Sequence, residues 1–374
     1  MTRRIPARLP AEAPISQQME LFESFFAKDH KDVSRVLGMY DTLPKYSLRR
    51  ARETSLRLRE MTYSRDGSTV RVVIQAAEIS DGKGGSVATF PGYREEMVER
   101  VLRYMAAQQI AGLSLHRDHE QEVVVLATSY SAIRKQLAAV GYDISLPRLK
   151  ESLRVCERAA LEVSITAPDG QVIEYRGPFL VRLKERRAAG DEQDAATLRL
   201  MVHPLAGEAI IRGDHYAISH PWVCELTDPL ARWMVTLLTE RFRGAAKFRL
   251  SDSVAGKTPA SYSLSLDTVL SRSGLDLDKA KSVERVRQAL AELYVHGFLG
   301  DAERPASLLV SARSAEMRAE RARDVGQVRF GETLTKSAPK TGRPGIESAT
   351  WKLCPTNLLA EQIIAGNIER KNTQ

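Results

Sequence analysis

The chain carries the same order of elements twice: a helix, a short turn, and a second helix with a basic outer face. In chain order, the predicted elements are 128–140, 141–145 and 146–160 in the first copy, and 265–273, 274–276 and 278–296 in the second. A helix–turn–helix unit presents its second helix to a groove of DNA. Two such units in one chain predict a protein that binds a long stretch of duplex.

The composition fits a folded protein with a polyanionic partner. The 374 residues are enough for two or three domains, and 43% hydrophobic residues are enough to form buried cores. The formal net charge is +8 and the pI is about 9.4, which favours a partner such as nucleic acid. Aromatic residues make up only 6%, which argues against a stacking surface for single strands.

Cysteine usage and the start of the chain predict a cytoplasmic protein. Cys156, Cys224 and Cys354 lie far apart without C-x-x-C spacing, so we expect reduced thiols. The basic first ten residues are not followed by the apolar stretch of a signal peptide. No run approaches the roughly 20 apolar residues of a membrane helix, so we expect no membrane partner.

Turn and strand signals after each helix pair predict the winged-helix order. After the first pair, 161–165 and 172–175 flank Pro168-Asp169-Gly170, which is a hairpin signal. After the second pair, 298–299 and 307–311 are the candidate wing strands. We therefore predict an α+β protein with two tandem winged-helix (helix-turn-helix plus β-hairpin) domains and extended N- and C-terminal arms.

The predicted division of the chain has four parts. Residues 1–60 form an amino-terminal arm, 61–203 the first winged-helix domain, 204–312 the second, and 313–374 a flexible and helical tail. A cluster of cations ends the arm, namely Lys45, Arg49, Arg50, Arg52, Arg57 and Arg59. This cluster indicates either phosphate contact or a solvated linker face.

Both candidate recognition helices have an apolar side and an outward polar ridge. The ridge of the first consists of Lys150, Arg154 and Arg158, and the ridge of the second of Lys281, Arg285 and Gln288. Arginine and glutamine can bond two atoms of one base, whereas lysine suits a phosphate. The alternative is an amphipathic helix with a solvated face. After the second candidate wing, Arg313 is either a minor-groove or phosphate contact or a residue that serves solubility.

Patterns for catalysis or nucleotide binding fail on spacing. Gly256-Lys257-Thr258 resembles the end of a phosphate-binding loop, but Ser251 stands where that loop needs another glycine. His116, Asp118 and His119 lack further metal ligands at compatible spacing. We therefore predict no catalytic residues, no metal site and no cofactor.

The segment Gln18-Met19-Glu20-Leu21-Phe22 resembles the peptide by which bacterial polymerases and initiators bind the sliding clamp. In such a peptide, two apolar anchors fill a pocket and a glutamine amide fixes the register. The candidate clamp-binding residues are Gln18, Met19, Leu21 and Phe22. The alternative is an arm that packs on its own domain through its leucine and phenylalanine side chains.

A longer resemblance lies in the middle of the chain. The segments HPLAGEAI at 203–210, GDHY at 213–216 and LTDPLAR at 226–232 resemble plasmid replication initiators of the TrfA and IncQ RepC type. The resemblance covers about residues 90–300, while both tails depart from the family. It implies two winged-helix domains that bind direct repeats (iterons) in double-stranded origin DNA, open the duplex and recruit the host replicative helicase.

The family resemblance also implies the clamp peptide, base contacts chiefly from the second recognition helix, and a homodimer formed through the first domain. The resulting prediction is a plasmid replication initiator without enzymatic activity. A transcriptional repressor or autoregulator with the same two modules is the alternative within this structural class. A nicking enzyme or nucleotidase is the alternative from another class.

Overall fold

A computed structural model describes the chain over 33–48, 53–54, 57–65, 67–80, 84–110, 117–118, 121–122, 124–186, 196–211, 215–242, 261–275, 277–301, 303–310, 314–328, 330–336 and 345–363. Arg313 and the peptide 18–22 lie outside the described residues, as do His116, His119 and the segment 256–258. Within these ranges, no helix is both long and apolar enough to cross a membrane.

Short strands alternate with helices along the described chain, as expected for an α+β protein. The strands are β1 (Val33–Leu37), β2 (Glu53–Thr54), β3 (Leu58–Arg65), β4 (Ser68–Gln75), β5 (Ala77–Ser80), β6 (Ser86–Thr89), β7 (Arg117–Asp118), β8 (Gln121–Glu122), β9 (Val125–Ser129), β10 (Ala160–Thr166), β11 (Val172–Pro178), β12 (Leu180–Arg186), β13 (Thr197–Val202), β14 (His215–Ser219), β15 (Tyr262–Ser265), β16 (Leu299–Gly300), β17 (Thr333–Lys336) and β18 (Ile346–Pro355). The helices are α1 (Gly38–Thr42), α2 (Tyr93–Ile110), α3 (Tyr130–Ala139), α4 (Leu146–Arg158), α5 (Pro204–Ile211), α6 (His220–Cys224), α7 (Pro229–Phe242), α8 (Leu266–Arg272), α9 (Lys279–Val295), α10 (Ala315–Asp324) and α11 (357–363).

The first half folds into a winged-helix unit built from α2, β9, α3, α4, β12 and β13. Its three strands form one antiparallel sheet in the order β9–β13–β12. Ser129 caps α3, since its hydroxyl accepts a hydrogen bond from the Ala132 amide at 3.1 Å. The predicted helix pair is confirmed, with α4 ending at Arg158.

The wing of this unit is not the hairpin predicted at 161–175. That hairpin exists as β10 and β11, but β10 also pairs with β4, so both strands belong to a four-stranded sheet β11–β10–β4–β3. Val163 of β10 and Val72 of β4 face each other and are fully buried, which explains why the hairpin joins that sheet. The wing consists of β12 and β13, which extend the sheet begun by β9.

The second half repeats this arrangement with α7, β15, α8, α9, β17 and β18. β18 lies between β15 and β17, which is the strand order of the first unit. In both units an insertion separates the helix pair from the wing strands. The insertion is β10–β11 in the first unit, and β16 with α10 in the second. The chain therefore contains the two tandem winged-helix domains predicted from the sequence.

The prediction of the second wing at 298–299 and 307–311 is wrong. The short strand β16 forms and pairs with the end of β18, whereas Pro305–Leu308 is a 3₁₀ turn. Pro305 has no amide hydrogen to donate to a neighbouring strand. The true wing strand β18 lies in the predicted tail, where Ala349, Trp351 and Leu353 alternate into the core.

Two hydrophobic cores divide the chain near residue 220 rather than residue 204. Leu205 and Ile210 of α5 belong to the first core, whereas α6 contributes Cys224 to the first core and Trp222 to the second. The second core continues to Ile363, so it includes much of the segment 313–374 that was predicted as a tail. The segment predicted as an arm is folded where it is described, since Tyr40 of α1 is fully buried in the first core.

The two helix pairs turn on a glycine at the same distance from the cap of the second helix. Gly141 lies four residues before the cap at Ser145, and Gly274 lies four residues before the cap at Asp278. Their φ angles are 79° and 77°, a left-handed conformation that glycine adopts without the clash of a Cβ atom. The Gly274 carbonyl also accepts a hydrogen bond from Arg59 of β3, which fastens this turn to the first domain.

A buried ion pair between Arg232 and Glu96 joins the two units. Arg232 of α7 is fully buried and donates from Nε and Nη2 to the two carboxylate oxygens of Glu96 on α2, at 3.0 and 2.8 Å. Arg100 lies 3.5 Å from Glu96, and Arg103 pairs with Asp41 of α1 at 2.6 Å. Since α2 and α7 are the first helices of the two units, this network holds the units in one relative orientation.

His203 makes the stability of the first domain depend on pH. Its Nε2 donates to the Leu161 carbonyl at 3.1 Å, and its Nδ1 accepts from the Leu205 amide at 3.2 Å. Burial lowers the pKa of His203 to about 4, from an ordinary value near 6.5. Because the unfolded chain takes up a proton that the native chain excludes, stability is lost as the pH falls from about 6.5 to 4, by roughly 3 kcal/mol.

We expect His203→Asn to remove this component of the pH dependence, since asparagine does not titrate. Urea unfolding of both proteins at pH 7 and pH 4.5 tests the prediction. The wild-type protein should lose about 2–3 kcal/mol more stability between these values than the variant. An equal loss in both proteins would mean that His203 does not carry the effect.

Candidate nucleic-acid interface

Counted from their N-caps, α4 and α9 carry the same charges at three outward positions. The third residue after the cap is Arg148 in α4 and Lys281 in α9. The sixth residue is a glutamate in both helices. The ninth is Arg154 in α4 and Arg287 in α9. All four cations are exposed. Arg148 and Arg287 were not among the candidates from sequence, although counting from the two caps would have revealed them.

The two helices differ at the seventh and tenth residues after the cap, which reach solvent on α9 but not on α4. In α9, the seventh residue after the cap is Arg285, which is half-buried, and the tenth is Gln288, which is exposed. In α4 they are Ser152 and Val155, and both are fully buried. α4 packs against α2, β5 and β12, so this part of its surface is closed. The surface at these two positions is therefore open in the second unit and closed in the first.

The three basic residues predicted on the first helix have different surroundings. The Lys150 ammonium lies 5.1 Å from the centroid of the Tyr130 ring. Arg158 donates from Nη1 to the Glu78 carbonyl of β5 at 2.9 Å. Arg154 is exposed. Their roles in DNA binding remain predictions.

The three residues predicted on the second helix lie together on the open face of α9. The Lys281 ammonium pairs with Asp278 at 2.9 Å, yet its side chain is 73% exposed. Arg285 donates from Nη1 and Nη2 to the two carboxylate oxygens of Asp228, each at 2.6 Å. The side-chain oxygen Oε1 of Gln288 lies 3.5 Å from Arg285 Nη1. Arg285 thus binds a protein carboxylate in the free chain, and its base contact remains a prediction.

Asp228 connects the start of α7 to the middle of α9. Its Oδ1 also accepts the Leu230 amide at 2.8 Å and so caps α7. Burial raises the pKa of the Asp228 carboxyl more than the positive charge of Arg285 lowers it. Glu292 of α9 adds a second link, since its carboxylate accepts the amides of Thr227 and Asp228 at 2.6 and 3.0 Å. These bonds fix α9 on α7 and leave its outer face accessible.

The wing of the second unit lies beside the open face. Lys279, the first residue of α9, donates to the Glu347 carbonyl at 2.6 Å, next to the start of β18. Arg287 pairs with Glu332, just before β17, at 2.9 Å. A helix with exposed lysine and glutamine beside a two-stranded wing is the arrangement that winged-helix proteins present to a duplex.

Comparison with solved structures finds distant similarities, among them two to domains of RctB. The chain resembles a crystal structure of RctB domains 2–3 (RctB-155-483) with a TM-score of 0.41 and 11% identity, over 87% of this chain and 99% of that chain. It also resembles selenomethionine derivatives of domains 2 and 3 of RctB, with a TM-score of 0.43 and 12% identity, over 85% and 97% of the two chains. No protein-family model matches the chain, and no curated protein matches it significantly.

Similarity at this level transfers no residue roles. The winged-helix assignment depends instead on the strand order, the helix pairs and the caps of the chain itself. Both structures are of RctB, so the resemblance of the sequence to the TrfA and IncQ RepC type remains a prediction.

Proposed function

We propose that this chain is a replication initiator that binds direct repeats in double-stranded origin DNA through its two winged-helix units. The observation that carries the proposal is the open outer face of α9, with Lys281 and Gln288 exposed, in a chain whose units are joined by the buried pair of Arg232 and Glu96. Phosphate contacts supply affinity, and side chains at base edges supply register. The resemblance of 203–232 to TrfA and IncQ RepC initiators directs the proposal to replication rather than to another DNA-binding role.

The proposal extends to a plasmid origin and to host partners in the cytoplasm. The peptide 18–22 binds the sliding clamp, the replicative helicase is recruited to the opened duplex, and a homodimer forms through the first unit. Distortion of the bound DNA favours melting of the adjacent duplex. The protein acts stoichiometrically and breaks no covalent bond.

Deleting residues 16–26 separates an initiator from a transcriptional repressor. An initiator that needs the clamp loses plasmid replication and keeps its binding to the repeats, whereas a repressor keeps its function. A second assay addresses a nicking activity. Supercoiled origin DNA incubated with the protein and a divalent metal stays supercoiled under this proposal, and conversion to open circles would contradict it.

Gln288→Ala is expected to relax base discrimination without general loss of affinity. An amide that bonds two atoms of adenine contributes about 1–3 kcal/mol at one base pair. Titration of the variant against sites with single base substitutions should show this loss at one position. Glu284→Gln is a matched control on the same exposed face. Equal discrimination by wild type and Gln288→Ala would remove Gln288 from the base-reading surface.

A further inference from the structure

The outer face of the sheet in the first unit carries three cations on neighbouring strands. Lys184 and Arg186 lie on β12 and Arg199 lies on β13, and all three side chains are exposed. A β-bulge between Arg182 and Lys184 shifts the register and places Lys184 directly opposite Arg199. Leu183, the extra residue of this bulge, is 52% exposed. The bulge therefore brings two like charges face to face on the wing.

These cations lack the ion pairs that other strand cations have. Among the described residues, no carboxylate pairs with Lys184, Arg186 or Arg199. On the neighbouring four-stranded sheet, by contrast, Arg71 pairs with Glu60 at 2.6 Å and Arg176 pairs with Glu162 at 3.1 Å. Like charges directly opposite each other on adjacent strands are destabilising. A bound polyanion relieves that repulsion.

Glu185 does not neutralise this surface, although it lies between two of the cations in sequence. It is opposite Leu198, a buried residue of the inner face, and so points away from the cations. Its carboxylate accepts a bond from the Tyr130 hydroxyl at 3.1 Å and pairs with Arg182. Among the described residues of the wing, Glu185 therefore leaves the charge of the three cations in place.

We propose that the first unit binds the phosphate backbone of duplex DNA through Lys184, Arg186 and Arg199. The inference rests on the proposed function and assigns a site to the unit whose recognition helix is closed at Ser152 and Val155. Phosphate contacts need charge but no base-edge geometry, so an exposed sheet face is sufficient. The first unit thus adds affinity and the second adds sequence preference.

The test is the salt dependence of DNA binding by the full chain with Lys184→Gln, Arg186→Gln and Arg199→Gln combined. The slope of log K against log salt should fall by about 0.9 per cation, or roughly 2.7 in all. Between 50 and 200 mM salt, the wild-type protein should therefore lose roughly 40-fold more affinity than the variant. The change should be equal for a preferred site and a scrambled duplex.

A double variant, Arg71→Gln with Arg176→Gln, is the control, because it removes exposed cations that already have protein partners. Its slope should match the wild type. An unchanged slope in the triple variant, or a loss confined to one DNA sequence, overturns this inference alone. Failure of the wild-type chain to bind any duplex overturns the proposed function as well. Thermal unfolding of the triple variant should match or exceed the wild type, which excludes misfolding as the cause.

Discussion

Arg232→Met is expected to lower the free energy of unfolding by about 3–5 kcal/mol, because it leaves a buried carboxylate without its partner. Arg232 is fully buried, and Glu96 is only 5% exposed. Burial opposes ionisation of Glu96, but Arg232 and Arg100 hold the pKa of its carboxyl below the ordinary value. Without Arg232, that carboxyl must either remain charged at high cost or take up a proton.

The Arg232 prediction distinguishes a lost ion pair from lost packing. Glu96→Gln combined with Arg232→Met removes both charges, and it should recover part of the stability lost in the single variant. The measurement is urea unfolding at pH 7. A loss below about 1 kcal/mol in Arg232→Met would show that the pair does not hold the two units together.

Arg285→Ala is expected to weaken binding to the preferred site by about 1–3 kcal/mol if the guanidinium reaches a base. The same change removes both bonds to Asp228, so it also lowers stability. These two effects must be separated, since the side chain is 28% exposed and faces both a protein carboxylate and solvent. Binding measured across single base substitutions reports the first effect, and urea unfolding reports the second.

Asp228→Asn is the matched variant for this question. Asparagine still caps α7, since it caps helices about as well as aspartate, but it removes the charge that holds Arg285. If Arg285 reads a base, Asp228→Asn keeps the base preference and Arg285→Ala loses it. If Arg285 acts only through Asp228, both variants lose stability and both keep the preference. The second pattern would contradict the base-reading role predicted for Arg285.

Local signals were sufficient to predict the helix pairs. Ser129, Ser265 and Asp278 each cap the helix expected from the sequence, and their side chains accept bonds from amides three residues later. The buried residues Val283 and Leu290 of α9 are those that the apolar spacing predicts. Such features depend on a few neighbouring residues and can be read without the fold.

The wings depend on distant pairing and were not predicted correctly. The hairpin signal at Pro168-Asp169-Gly170 was real, but the partner strand β4 is about 90 residues earlier, as in the pair Val163 and Val72. β18 alternates in burial, but an insertion of β16 and α10 separates it from α9. The alternation of apolar and polar residues predicts which side chains of a strand are buried, but it does not predict which strand pairs with it.

The candidate DNA-binding residues were likewise predicted by local spacing, whereas their contacts with distant residues were not. The periodicity placed Lys281, Arg285 and Gln288 on one ridge, and the structure keeps them together on α9. The partner that holds Arg285 is 57 residues away in the chain, so its ion pair required the folded structure. On α4, burial of Ser152 and Val155 follows from packing with other elements, which helical spacing alone does not reveal.

In the proposed complex, the second unit reads a DNA sequence while the first unit stays attached to the same duplex. Selection of duplexes from a random library by the full chain, followed by titration of the selected site and its scrambled version near 150 mM salt, tests this claim directly. We expect one enriched motif and a preference of at least about 10³-fold for it. Equal affinity for the selected and scrambled duplexes would contradict the account.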